Sequence, residues 1–114
     1  MTFREQPLGY TAVFLLPSLK LKEPSRDGQP NEIRLHVFLM DHFAGYTAQA
    51  GNIFGYWRNG PGPDSYGEHR EFSVAFADRS KVTLLKEFLA TMARDLHEDC
   101  VYLCVGDEAS LIYP

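Results

Sequence analysis

The sequence has no apolar run approaching the roughly 18 to 20 residues of a membrane span, and little cysteine, with two in 114 residues. Cys100 and Cys104 stand four apart in the apolar run CVYLCV. If that run is a strand they are about 13 Å apart, beyond the roughly 7 Å reach of a disulfide. Reduced thiols and a cytoplasmic setting are the expectation. The start, MTFREQPLGYTAVFLLPS, makes a poor signal peptide, with a basic residue beside an acid and its short apolar run broken by Pro17. Also missing are Gly-Lys-Ser/Thr, G-x-G-x-x-G, G-x-S-x-G and Cys-x-x-Cys. Phosphate loops, hydrolase elbows and structural zinc are disfavoured together, and no cofactor or metal is expected. Basic charge is scarce too. The formal net charge is −4, and from Glu87 onward Arg94 stands alone against Glu87, Asp95, Glu98, Asp99, Asp107 and Glu108. Such a tail repels phosphate backbones, so nucleic acid is a poor partner.

Aromatic residues are plentiful. Eight Phe, six Tyr and one Trp provide enough surface to bury that disorder is disfavoured. A chain of this length fits one domain, residues 1–114, with a core that needs no staples. Tyr10 to Lys22 reads as a first strand, with Pro17 at an edge or bulge, and EPSRDGQPN (23–31) is a turn-rich loop. NEIRLHVFLMDHFAG supports two periods. Ile33, Leu35, Val37 and Leu39 alternate as in a strand. Ile33, Val37, Met40 and Ala44 instead form a helical stripe, with Leu35, Leu39 and Phe43 beside it. Asn31 as N-cap and Gly45 beyond the end favour a helix over 31–44.

Tyr46 to Arg58 reads as a strand interrupted at Gly51 and Gly55. Residues 59–67 form a long hairpin loop, and Glu68 to Ala77 is a strand with Phe72, Val74 and Phe76 on one face. Ser80 or Asp78 caps a helix over 80–97 whose stripe is Val82, Leu85, Leu89, Met92 and Leu96. Cys100 to Val105 is a strand, followed by a turn at Gly-Asp-Glu and a short C-terminal addition. The order β-α-β-β-α-β predicts a ferredoxin-like α+β fold, an antiparallel sheet with two helices on one face.

Gly45, Tyr46, Thr47, Gly51, Gly55 and Trp57, with Val101 later, resemble a pattern in small bacterial and phage proteins of unknown function. There a helix ends in Gly-Gly-Tyr-Thr, and a glycine-spaced strand ends in Trp. This sequence departs from it at Ala44 and by two extra residues between Gly51 and Trp57. The resemblance implies the α+β fold and transfers no catalytic residue.

The glycine-aromatic stretch 45–69 is the leading candidate site. Tyr46, Tyr56, Trp57, Arg58 and Tyr66 would bind a planar ligand or a partner protein. The plainer reading is a twisted hairpin whose glycines let it bend while its aromatics fill core and edge. Among the histidines, His36 and His42 point about 240° apart on a helix and cannot share a metal. His97 near a helix end compensates the dipole. His69 and Glu71 share a strand face, and with Arg58 they would form a metal-free acid–base site. The plainer reading there is a solvated sheet face of mixed charge.

The first functional expectation is therefore a non-enzymatic, oligomeric binding module, of the kind a phage or prophage accessory or inhibitor protein would be. The alternative is a small cofactor-free isomerase or lyase on the open sheet face, with a closed pocket around His69 and Arg58 as its mark. A purely structural interaction protein, without a pocket, is the third. Strands apolar on both faces (Phe54 and Tyr56 against Ile53 and Trp57, Tyr102 and Cys104 against Val101 and Leu103) predict a homodimer covering the open face.

Overall fold

A computed structural model of the chain describes residues 2–58 and 60–114. Strand β1 (Tyr10–Pro17) leads through a short 3-10 turn at Lys20–Lys22 to helix α1 (Asn31–Phe43). Strands β2 (Thr47–Ala48), β3 (Ile53–Trp57) and β4 (Ser65–Phe76) follow, then helix α2 (Ser80–Asp95) and the hairpin of β5 (Val101–Val105) and β6 (Glu108–Ile112). β1 is central, and β4 pairs with it along the last eight residues of β4, from His69 opposite Pro17 to Phe76 opposite Tyr10. On the other edge of β4, β2 lies against its inner half and β3 against its outer half. The order β2/β3–β4–β1–β5–β6, antiparallel throughout, is that of a ferredoxin-like α+β fold with one strand added at the edge.

The core lies between one sheet face and the two helices. Ala12, Phe14 and Leu16 of β1, Phe72, Val74 and Phe76 of β4, and Val101 and Leu103 of β5 supply the sheet side. Leu35, Leu39 and Phe43 of α1, with Leu85, Leu89, Met92 and Ala93 of α2, supply the helix side. Phe38 and Phe88 stack between the helices with centroids 3.8 Å apart, and Arg34 Nη1 reaches Asp95 Oδ2 at 2.6 Å. These contacts fix the rotation of α1. Its outward stripe is Ile33, Val37 and Met40, which stay exposed.

Several expected boundaries move. The first strand stops at Pro17, whose nitrogen carries no hydrogen to continue a ladder, and the chain turns to bury Leu21. Pro30 takes the N-cap position expected of Asn31. Asn31 is buried instead, and its amide donates to the carbonyls of Lys20 and Glu23. The left-handed residue ending α1 is Ala44 (φ 59°), one position before Gly45. Helix α2 ends at Asp95, and Asp78 accepts the Ser80 N–H at its start. The strand expected over 46–58 is two strands with Gln49–Asn52 between them. β4 starts at Ser65, inside the expected loop over 59–67, of which Asn59 lies outside the described residues. The final hairpin is tight: Val105 pairs with Glu108 across Gly106 and Asp107. Only Gly106 of that pair is left-handed, at φ 61°, as a type II′ turn requires.

Candidate functional site on the open sheet face

Strand alternation decides which side chains meet on the face away from the helices. In β4, Phe72, Val74 and Phe76 point into the core, so Ser65, Gly67, His69 and Glu71 point to the open side. Trp57 lies opposite Ser65 in register and shares that side. Across the sheet Tyr102 sits between the buried Val101 and Leu103 and also faces outward, opposite Leu111 of β6. The outer hairpin brings the Trp57 and Tyr102 rings to 6.2 Å between centroids. Both rings line a cavity of about 330 Å³, with Leu15 and His69 among its other lining residues on one side and Glu98, Asp99, Cys100 and Tyr113 on the other. That volume lies at the small end of ligand sites, about 300–1,000 Å³.

His69 is the titratable group set deepest in the cavity wall. Burial pushes its pKa below the ordinary value, against a smaller upward pull from the Glu98 carboxylate and the Gly67 backbone. Its Nδ1 is enclosed and has no hydrogen-bond partner among the described residues, and the downward shift favours the neutral imidazole. Glu98 accepts from Lys20 Nζ at 2.6 Å. Burial raises the Cys100 thiol, opposed by a hydrogen bond from Tyr113 and joined by the charges of Asp99 and Glu98. That is the opposite of an activated nucleophile. Both cysteines are free, as their spacing requires.

The structure brings together Trp57, Arg58, Tyr66 and His69, all of which border the cavity. The other expected site residues lie elsewhere. Tyr46 is on the helix side, its hydroxyl 2.8 Å from His36 Nδ1 and its ring 6.2 Å from that of Phe72. Tyr56 pairs with Tyr66 on the face opposite Trp57. There the Tyr66 ring stacks on Phe54 at 6.0 Å and meets Tyr56 at 5.2 Å, so Tyr66 borders the cavity from behind. Glu71 shares the face of His69 one step inward; burial raises the Tyr102 hydroxyl, with Cys104 and then Glu71 adding smaller contributions. Arg58 is held outward by Asp64, with Nε 2.8 Å from Oδ1. Sequence reading missed Leu15, Glu98, Asp99, Tyr102 and Tyr113 as site residues. The signal available was strand parity: Tyr102 shares a face with Cys100 and Cys104, and the Gly106–Asp107 turn sends the chain back beside them. Among the described residues no group of three His, Cys, Asp or Glu is placed to hold a metal ion, and no helix is long and apolar enough to cross a membrane.

The antiparallel sheet and the helix pair on one face define a ferredoxin-like α+β protein, with an aromatic-lined cavity on its open face. No family model matches the chain, nor does any curated protein sequence. Among solved structures, the chain is similar in fold to a phage S-adenosylmethionine lyase in complex with S-methyl-5′-thioadenosine, with a TM-score of 0.61 at 10% identity. The match covers 100% of this chain and 96% of the lyase.

Proposed function

We propose that this protein is a small, cofactor-free lyase acting on a sulfonium nucleoside of the S-adenosylmethionine class, with the open-face cavity as its site. The observation that carries the reading is one cavity lined by two aromatic rings in contact, two carboxylates and a half-buried histidine. Trp57 and Tyr102 offer faces for a planar heterocycle. Aromatic faces together with the Asp99 carboxylate, and with Glu98 already paired to Lys20, favour a cationic sulfur. The likeness to a phage lyase along the whole chain supports the substrate class, and a phage accessory protein that removes or sequesters a host metabolite fits this size.

A sulfonium is its own activated leaving group. When the bond from sulfur to the amino-acid arm breaks, its electron pair stays on sulfur and releases neutral S-methyl-5′-thioadenosine. As that bond breaks, either His69 takes a proton from the neighbouring carbon and the electron pair of that C–H bond forms an alkene, or the arm's own carboxylate attacks the carbon leaving sulfur and forms a lactone. His69 is the base in the first route and a positioning residue in the second.

The test is to incubate purified protein with S-adenosylmethionine and follow S-methyl-5′-thioadenosine by chromatography, with mass analysis of the four-carbon product. We expect time-dependent release, lowered about 10²- to 10⁴-fold in His69→Gln if the alkene route operates. A specific observation favours a second reading, a binding module: the ladder of Phe54, Tyr56 and Tyr66 rings stands exposed on the hairpin. Binding of S-adenosylmethionine without turnover would replace the lyase with that binder. The absence of both binding and turnover would overturn the proposed substrate class. A second copy covering the open face, as a homodimer, completes the proposal.

A further inference from the structure

A larger recess lies on the helix side, among the loop over residues 23–31, the first turns of α1 and the last turns of α2, with a volume of about 740 Å³. It is separate from the open-face cavity, and the loop that frames it is built rather than slack. Pro24 and Pro30 bridge its two ends. The Asn31 N–H donates to the Glu23 carbonyl at 2.9 Å, and the Ser25 N–H donates to Gln29 at 2.7 Å. The Asn31 side-chain amide donates to the Glu23 carbonyl at the start of the loop and to the Lys20 carbonyl just before it.

Three guanidinium groups line this recess: Arg26 on the loop, Arg34 on α1 and Arg94 on α2. In a chain of net charge −4 with 11 basic residues, that concentration is unusual. The carboxylates there are largely engaged. Asp95 accepts from Arg34 at 2.6 Å, and Asp27 accepts from the Ser25 hydroxyl and the Gln29 N–H. Arg94 Nε lies 3.8 Å from Asp95 Oδ1, at the limit of an ion pair. Arg26 has no carboxylate within ion-pair distance among the described residues. Two guanidinium forks are thus left with donors to spare, beside a third held in place by Asp95 and among the negative charges of Glu23, Asp27 and Asp95. Arginine forks match tetrahedral oxyanions and bind them through paired charge-assisted hydrogen bonds.

We propose that this recess is an oxyanion site for a small phosphorylated molecule, with Arg26 and Arg94 gripping the phosphate and Arg34 fixed beneath them. Because its walls come from a loop and both helices, an occupant ties the 23–31 loop to the end of α2. The site is independent of the lyase reading and is tested without any sulfonium compound.

The experiment titrates inorganic phosphate into ¹⁵N-labelled protein at constant ionic strength, with chloride as the balancing anion, and repeats it on Arg26→Gln and Arg94→Gln. Saturable shifts are expected in amides 23–34 and 91–97, and either substitution should weaken the apparent affinity about tenfold. The unliganded spectra of the variants serve as the folding control. Shifts that fail to saturate, that centre elsewhere, or that survive unchanged in the doubly substituted protein would overturn the proposal.

Discussion

His69 carries its pH dependence in its surroundings. Its folded-state pKa lies below the ordinary value of about 6.5 because burial disfavours the charged ring. The unfolded chain therefore binds the proton more readily between those two values. The stability contributed by the neutral ring is present above about 6.5 and is lost as pH falls through the folded pKa. An NMR titration should place the His69 midpoint below 6.5, and a base role would give an acid limb of activity at that same midpoint. Gly67 makes a companion test. A Cβ there would stand 2.5 Å from His69 Cε1, so Gly67→Ala must swing the imidazole, while the backbone at 67 is not left-handed. Global stability should change by less than about 1 kcal/mol, while the His69 midpoint moves. An unmoved titration would mean the ring is not held where it is described. At this scale Trp57, Arg58, Tyr66 and His69, which border the cavity, could be singled out as candidates from sequence because all four sit beside a hairpin signalled by glycine and proline. Glu98, Asp99 and Tyr113 were illegible, since they reach the cavity from about 30 to 45 residues farther on, by a fold closure with no local signal.

Among the elements, α1 shows where periodicity stops being informative. Two apolar stripes run along it, and sequence cannot say which one the sheet covers. The deciding contacts are tertiary: Phe38 on Phe88, Arg34 with Asp95, and Phe43 edge-on to Phe76 at 5.7 Å. They turn Leu35 and Leu39 inward and leave Val37 exposed. Leu39→Ala should therefore cost about 2–5 kcal/mol through the cavity it leaves. Val37→Ala should stay within about 0.5 kcal/mol. Urea unfolding monitored by circular dichroism separates the two, and equal costs would mean the helix is rotated from the orientation described. Helix α2 was easier to read, because it has a single stripe and Leu85, Leu89, Met92 and Leu96 all fall within it. β1 was misjudged at its end because Leu19 and Leu21 continue a strand-like alternation past Pro17. The proline ended the ladder all the same, and a 3-10 turn buried Leu21.

For the whole molecule, the order of elements was enough to derive the sheet, since two helices and four strands of these lengths close with short connections in few ways. What covers the open face is not a matter of topology. Leu111, Tyr113 and Trp57 are exposed there, and apolar patches of that kind mark interfaces. If a second copy covers them, light scattering after size exclusion at micromolar concentration should give about twice the chain mass of 12.9 kDa. A mass of one chain would remove the dimer from the proposed function. Leu111→Glu should then shift a dimer toward the single-chain mass, with circular dichroism unchanged.

β4 runs from the core to the hairpin tip as one twelve-residue strand. Its inner half is locked in register by β1, whereas Ser65–Glu68 answers only to β3 among the strands. Insertions and deletions in the outer hairpin are thus subject to a parity rule. Removing one residue between Ile53 and Trp57 would carry the indole to the opposite face and away from Tyr102. Removing a matched pair from each strand would shorten the arm and leave every remaining side chain on its original side. Homologous hairpins should accordingly differ in length by even steps per strand wherever the tryptophan's place in the cavity is kept.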